Sequence, residues 1–155
     1  MECQVPKSLK HEHEELHAEL VEATMEAGAV GEAARAVSKA LYPHFMKEEE
    51  YALPPLGILC MLKTELSTSD VKNVLVMIAR LKAELSRLHE EHKTIVTGLR
   101  HLSDAARMEN KQDYAQLAHK FVLHAQMEEE VLYPAVIMIG EYLKNEFAQR
   151  MKHQA

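Results

Sequence analysis

The chain has 155 residues, 47% of them apolar, with 18 Lys and Arg against 24 Asp and Glu and a formal net charge of −6. That length suits a single domain, here spanning 1–155 with a core over about 10–134, and the acidic balance argues against nucleic acid and anionic membranes as partners. Two cysteines, Cys3 and Cys60, cannot build a disulfide framework, and the richest apolar stretch, Ala52 to Leu62, is short and interrupted by Pro54-Pro55, so no membrane span and a cytoplasmic location are expected.

Leu9, His13, Leu16, Leu20 and Ala23 recur at steps of three and four, which predicts a first helix from about Lys10 to Ala27. Gly28 and Gly31 bracket a short turn. A second helix follows from about Glu32 to Ala52, with Val37, Leu41, His44, Glu48 and Tyr51 on one stripe, and Pro54-Pro55 ends or kinks it. Leu56 to Leu66 reads as a short connecting helix. Ser67 to Asp70 is a capping cluster that opens a third helix of about 33 residues, whose stripe runs from Val71 through Leu88, His92 and Ile95 to Leu102.

Asp104 to Lys111 is polar and reads as a loop. A fourth helix begins near Gln112 and carries Leu117, Phe121, His124, Glu128 and Val131 inward until Pro134 disturbs it. Ala135 to Phe147 reads as a C-terminal helical extension. Nothing alternates at period two. The expected fold is all-α, an up-and-down antiparallel four-helix bundle.

The chain contains an internal duplication. His13 aligns with His92, with Leu9 facing Leu88, Leu16 facing Ile95 and Leu20 facing Leu99. His44-Phe-Met-Lys-Glu48-Glu-Glu aligns with His124-Ala-Gln-Met-Glu128-Glu-Glu, and Pro54 falls opposite Pro134. The chain is thus two helical hairpins related by an approximate two-fold. Glu residues after Glu48 read as a solvated face.

The aligned polar residues occupy core positions. His44 and Glu48, like His124 and Glu128, are four apart and share a helical face. Burying four imidazoles and two carboxylates together is unfavourable unless something compensates, and cations do so directly. His13, His44, Glu48, His92, His124 and Glu128 are therefore the candidate metal ligands. His17, His89, Tyr51 and Tyr133 are candidates for further ligation or for hydrogen bonding at the same centre. His11, His101 and His119 are expected on the outside, Met46 and Met127 as core filling or pocket lining, and Cys60 buried. No Ser or Cys nucleophile constellation and no Gly-rich phosphate loop is present, which argues against an enzyme acting on an organic substrate.

The ordered set Glu12-His13-Glu14-Glu15-Leu16, His44-xxx-Glu48-Glu49, Glu91-His92-xx-Ile95 and His124-xxx-Glu128-Glu129 resembles the hemerythrin-like, or HHE cation-binding, family over about Lys10 to Pro134. The resemblance implies a four-helix bundle around two iron ions in an oxo- or hydroxo-bridged centre, held by the six residues above. Manganese or zinc would also accept this donor set. The chain lacks the pair of histidines four apart on the third helix that marks the oxygen carriers, since Leu88 and Val96 flank His92 at those positions. It is more similar to the four-histidine, two-glutamate type. The function implied is binding or sensing of O2, NO or redox state, with an unknown redox partner. Metal storage without redox chemistry, and a helical interaction module with a structural metal site, are the alternatives. A homodimer contact through Leu56–Leu66 and the start of the third helix is a further expectation.

Overall fold

The computed structural model describes residues 3–61 and 66–153. Five α-helices follow one another: α1 (Lys7–Thr24), α2 (Gly28–Lys47), α3 (Thr68–Met108), α4 (Gln112–Met127) and α5 (Tyr133–His153). Two five-residue π-helices, Glu48–Ala52 and Glu128–Leu132, follow α2 and α4, and a 3-10 helix, Pro54–Met61, precedes α3. Each of the helices α1 to α4 packs on its neighbour in sequence, and α4 closes back on α1. The fold is an all-α, up-and-down four-helix bundle with a short connecting helix and a C-terminal extension. Among the described residues no helix is long and apolar enough to cross a membrane.

Local chemistry accounts for the boundaries. The side chain of Ser67 accepts a hydrogen bond from the Asp70 N–H at 3.1 Å and so caps α3. At the other end Asn110 adopts φ 57° and the Lys111 N–H reaches the Ala106 carbonyl at 2.8 Å, a left-handed helix stop. The expected loop over Asp104–Lys111 is thus corrected. Leu102 and Ala106 are fully buried, so packing carries α3 on to Met108 and leaves Glu109–Lys111 as the connection.

Gly28 begins α2 at φ 76°, where a side chain would be strained, and Glu109 of the opposite connection caps α2 by accepting from the Ala29 N–H at 2.8 Å. The helix expected from Glu32 therefore begins at Gly28, with Gly31 inside it. The connecting helix, described over Pro54–Met61, is of the 3-10 type. Residues 62–65 of the expected Leu56–Leu66 segment lie outside the described residues.

The two prolines account for the two π-helical turns. In an α-helix the ring of Pro54 would strike the carbonyl of Glu50, and the ring of Pro134 that of Glu130. Both turns instead widen, with the Leu53 N–H bonding Glu48 and the Tyr133 N–H bonding Glu128. In both hairpins the widened turn begins at the buried glutamate.

Two apolar clusters divide the interior. One holds Leu16, Leu20, Val37, Leu41, Ile95, Leu99, Leu102, Leu117 and Phe121 of α1 to α4. The other joins Leu53, Leu56 and Ile58 to Val74, Ile78, Leu81 and Leu88 of α3 and to Val136, Ile139 and Leu143 of α5. The first half of α3 thus packs on the connecting segment, as its excess length requires. Gly140 lets α5 approach it, since a Cβ there would lie 2.8 Å from Ile78 Cγ2.

Candidate metal centre

A polar layer lies between these apolar clusters. His13 stands on α1 between Leu9 and Leu16, and His92 on α3 between Leu88 and Ile95, so each spans the boundary from one cluster to the other. His13, His44, Glu48, His92, His124 and Glu128 are the buried polar residues of the described chain, none more than 3% exposed. They come from all four bundle helices and their π-helical extensions, and they converge.

The donors form two groups, one of His44, Glu48, His92 and Glu128 and one of His13, His124 and Glu128. In the first, the Nε2 atoms of His44 and His92 lie 2.7 Å apart. In the second, those of His13 and His124 lie 2.9 Å apart. Glu128 reaches both, with Oε2 3.2 Å from His92 and Oε1 2.9 Å from His124. Glu48 Oε1 lies 3.0 Å from His44, while its Oε2 lies 3.9 Å from His13 and has no hydrogen-bond partner.

The outer edges of the imidazoles meet a second ring of carboxylates. His44 Nδ1 is 2.9 Å from Glu91 and His92 Nδ1 is 2.8 Å from Glu129. His124 Nδ1 lies 3.2 Å from Glu12, and His13 Nδ1 3.6 Å from Glu49. These carboxylates obey the duplication. Glu12 and Glu91 each precede a histidine and serve the opposite hairpin. Glu49 and Glu129 each follow a buried glutamate and face the histidine of their own hairpin.

A carboxylate at Nδ1 fixes the proton there and turns the lone pair of Nε2 inward. Two inward lone pairs 2.7 Å apart repel unless a positive charge sits between them. Nitrogens at right angles on one ion, each at about 2.1 Å, lie about 3 Å apart. The observed spacings match that edge, and the unpartnered Glu48 oxygen adds a buried donor. The residues present therefore fit a metal.

Without metal, protons supply the positive charge. Burial by itself lowers the pKa of His92, yet its hydrogen bonds to Glu128 and Glu48 outweigh that and push it up to about 10. His124 is pushed up to about 9 in the same way by Glu128, against its own desolvation. His44 is likewise raised, with Glu48 and Glu91 overcoming burial. Burial raises Glu128, but hydrogen bonds from His124, His13 and His92 dominate and hold it well below the usual carboxylate range.

The remaining expected residues take separate places. Tyr133 is buried and donates its hydroxyl to Glu48 Oε1, and its ring stacks on His92 with centroids 5.9 Å apart. Its hydroxyl proton is held far above the ordinary range by burial and by Glu48. Tyr51 is buried with its hydroxyl unpartnered and the Arg80 guanidinium 4.2 Å over its ring. His89 stacks on Tyr133 at 6.3 Å with a buried, unpartnered Nε2, and His17 lines a surface cleft beside His13; neither is in a donor group.

His11, His101 and His119 are exposed as expected. Several expectations are corrected. Val131 is 55% exposed, because α3 covers the equivalent Tyr51 through Arg80 and leaves Val131 open. Met46 and Met127 are exposed rather than core filling, Met46 lining the surface cleft beside His13, and Cys60 is exposed on the 3-10 helix. The four outer glutamates stand in the motif quoted from the sequence, but their role at the Nδ1 edges escaped the sequence reading, although their repetition beside each aligned ligand is the available signal.

Comparison of the chain with protein-family models, with curated proteins and with solved structures found no match in any of the three. The class of protein is defined by its geometry, a helical bundle with a buried cluster able to coordinate metal. The four histidines and two glutamates match the hemerythrin-like, HHE-type di-iron binding motif.

Proposed function

We infer that this chain is a non-haem di-iron protein whose ligands are His13, His44, Glu48, His92, His124 and Glu128, and that it binds or senses O2, NO or redox state at that centre. The observation that supports this reading most is the position of Glu128. Its two oxygens address two different histidine pairs, Oε2 towards His92 and Oε1 towards His124, as a carboxylate spanning two cations would.

Two iron ions there would supply one-electron chemistry and coordination of a small ligand. The chain's own residues perform the rest. The histidines bind as neutral imidazoles, His44 and His92 oriented by hydrogen bonds to Glu91 and Glu129, with Glu12 and Glu49 beside His124 and His13. Tyr133 holds Glu48 by its hydroxyl. The apolar clusters on either side exclude water and strengthen every charge interaction within the layer. No Ser or Cys nucleophile is among the groups gathered here.

The test is the optical spectrum of the iron-loaded protein on reduction and on anaerobic addition of NO. A change in the near-UV and visible bands under either treatment supports the reading. An unchanged spectrum under both contradicts it.

A further inference from the structure

The duplication predicts two equal halves, and the centre departs from equality in a consistent direction. His44 and His92 both have their Nδ1 atoms in hydrogen bonds, at 2.9 and 2.8 Å. The Nδ1 atoms of His13 and His124 are buried and make none. Tyr133 fixes Glu48 Oε1 on the His44–His92 side, whereas the residue aligned with Tyr133 in the first hairpin is Leu53, which has no hydroxyl to offer Glu128. Four donors surround the His44–His92 position and three the His13–His124 position, with Glu48 Oε2 only at 3.9 Å from His13.

Access follows the same asymmetry. A cleft of about 200 Å³ opens between α1 and α2 directly over His13, walled by Tyr42, Phe45 and Met46 and bordered by His17 and Glu49. Phe45 stacks flat on the His13 ring at 4.3 Å. The ring of Tyr133 stacks on His92 in the same manner, so the cleft and not the aromatic cover distinguishes the two sides. The cleft walls are mainly apolar, which suits a small uncharged molecule or a monoanion more than a multiply charged one.

We propose that the two metal positions are unequal: the His44–His92 position is the tight one, and the His13–His124 position is the exchangeable one that meets small ligands entering through the Tyr42–Phe45–Met46 cleft. This rests on the di-metal reading above. The physical cause is that imidazoles whose Nδ1 atoms are anchored are held in place and made more basic, an effect worth about 10–100-fold in metal affinity.

The test is a stepwise cobalt(II) titration of the metal-free protein, followed by visible absorption and by metal content. Two steps are expected, the second at least tenfold weaker. His13→Ala is expected to lose the weak step and keep the tight one, and His44→Ala to lose the tight one, with circular dichroism reporting the fold. Two equal steps in the unaltered protein overturn the inequality while leaving the di-metal reading intact. Failure to bind cobalt(II), zinc or iron at all overturns both.

The route is read from the rate at which azide changes the spectrum of the cobalt-loaded protein. Met46→Trp is expected to slow it at least tenfold. Gln126→Trp, the aligned position in the second hairpin, is expected to leave it unchanged. Equal slowing by both, or by neither, overturns the cleft as the entry.

Discussion

His44 and Glu91 are joined across the two hairpins: the Nδ1 of a histidine on α2 meets, at 2.9 Å, the carboxylate that precedes His92 on α3. Glu91 thus connects two histidines of the same pair, one through a hydrogen bond and one through the chain. Lys47 and Arg87 neutralise its outer side. Despite partial burial, hydrogen bonds from Lys47 and His44 keep Glu91 below the usual carboxylate range.

Removing that carboxylate should therefore be felt at the metal. Glu91→Ala is expected to weaken the tighter metal-binding step by about 10–100-fold, as read by competition with a chelator. Glu50→Ala, whose partner Arg80 is exposed and which belongs to neither donor group, serves as the control and should change it by less than about twofold. Equal effects of the two would contradict the role given to Glu91.

The metal-free protein should lose stability towards alkaline pH. The folded-state pKa values of His92 and His124 stand at about 10 and about 9, above the ordinary histidine value of 6.5. A raised pKa contributes stability that is complete below the unfolded value and lost as pH rises through the folded one. The thermal midpoint of the metal-free protein is thus expected to fall between pH 7 and pH 10. Metal displaces these protons, so loading at pH 7 should release protons, measurable by calorimetry in buffers of different ionisation enthalpy. A midpoint that rises over this range, or loading without proton release, would contradict the assignment.

Tyr133→Phe should destabilise the metal-free protein by about 2 kcal/mol in urea denaturation, because it removes a hydrogen bond to a fully buried carboxylate and leaves the histidines as the donors to that oxygen. A loss below about 0.5 kcal/mol would mean that Glu48 finds its stabilisation elsewhere.

The close approach of α5 to α3 makes a separate prediction. Gly140→Val would place a branched side chain where even a Cβ is 2.8 Å from Ile78, and should cost about 1–3 kcal/mol by overpacking. Metal stoichiometry should be unaffected, since neither residue belongs to a donor group. An unchanged denaturation midpoint would show that α5 can move aside.

Much of the centre is written in the sequence, and for a specific reason. His13 and His92 interrupt otherwise apolar stripes at aligned positions, so a repeat and a burial conflict coincide on the same residues. The outer ring was harder to read because Glu12, Glu49 and Glu129 are each more than a third exposed. By composition they are indistinguishable from a solvated face. The prolines announced a break after each buried glutamate, but the break takes the form of a widened turn, which depends on the carbonyl that the ring would strike. Ala105 and Ala106 lie within a polar run, and only packing against the first apolar cluster shows that α3 continues through them. The difference between Tyr51 and Val131 arises from what α3 covers, which no local pattern records.

The most direct test of the central claim is the metal content and optical spectrum of protein purified after expression with iron available, alongside a His124→Ala, Glu128→Ala variant. The account predicts about two irons per chain with near-UV charge-transfer bands, and loss of that stoichiometry in the variant while the helical content is retained. Less than about half an equivalent of any transition metal in the unaltered protein, even after anaerobic reconstitution, would contradict it.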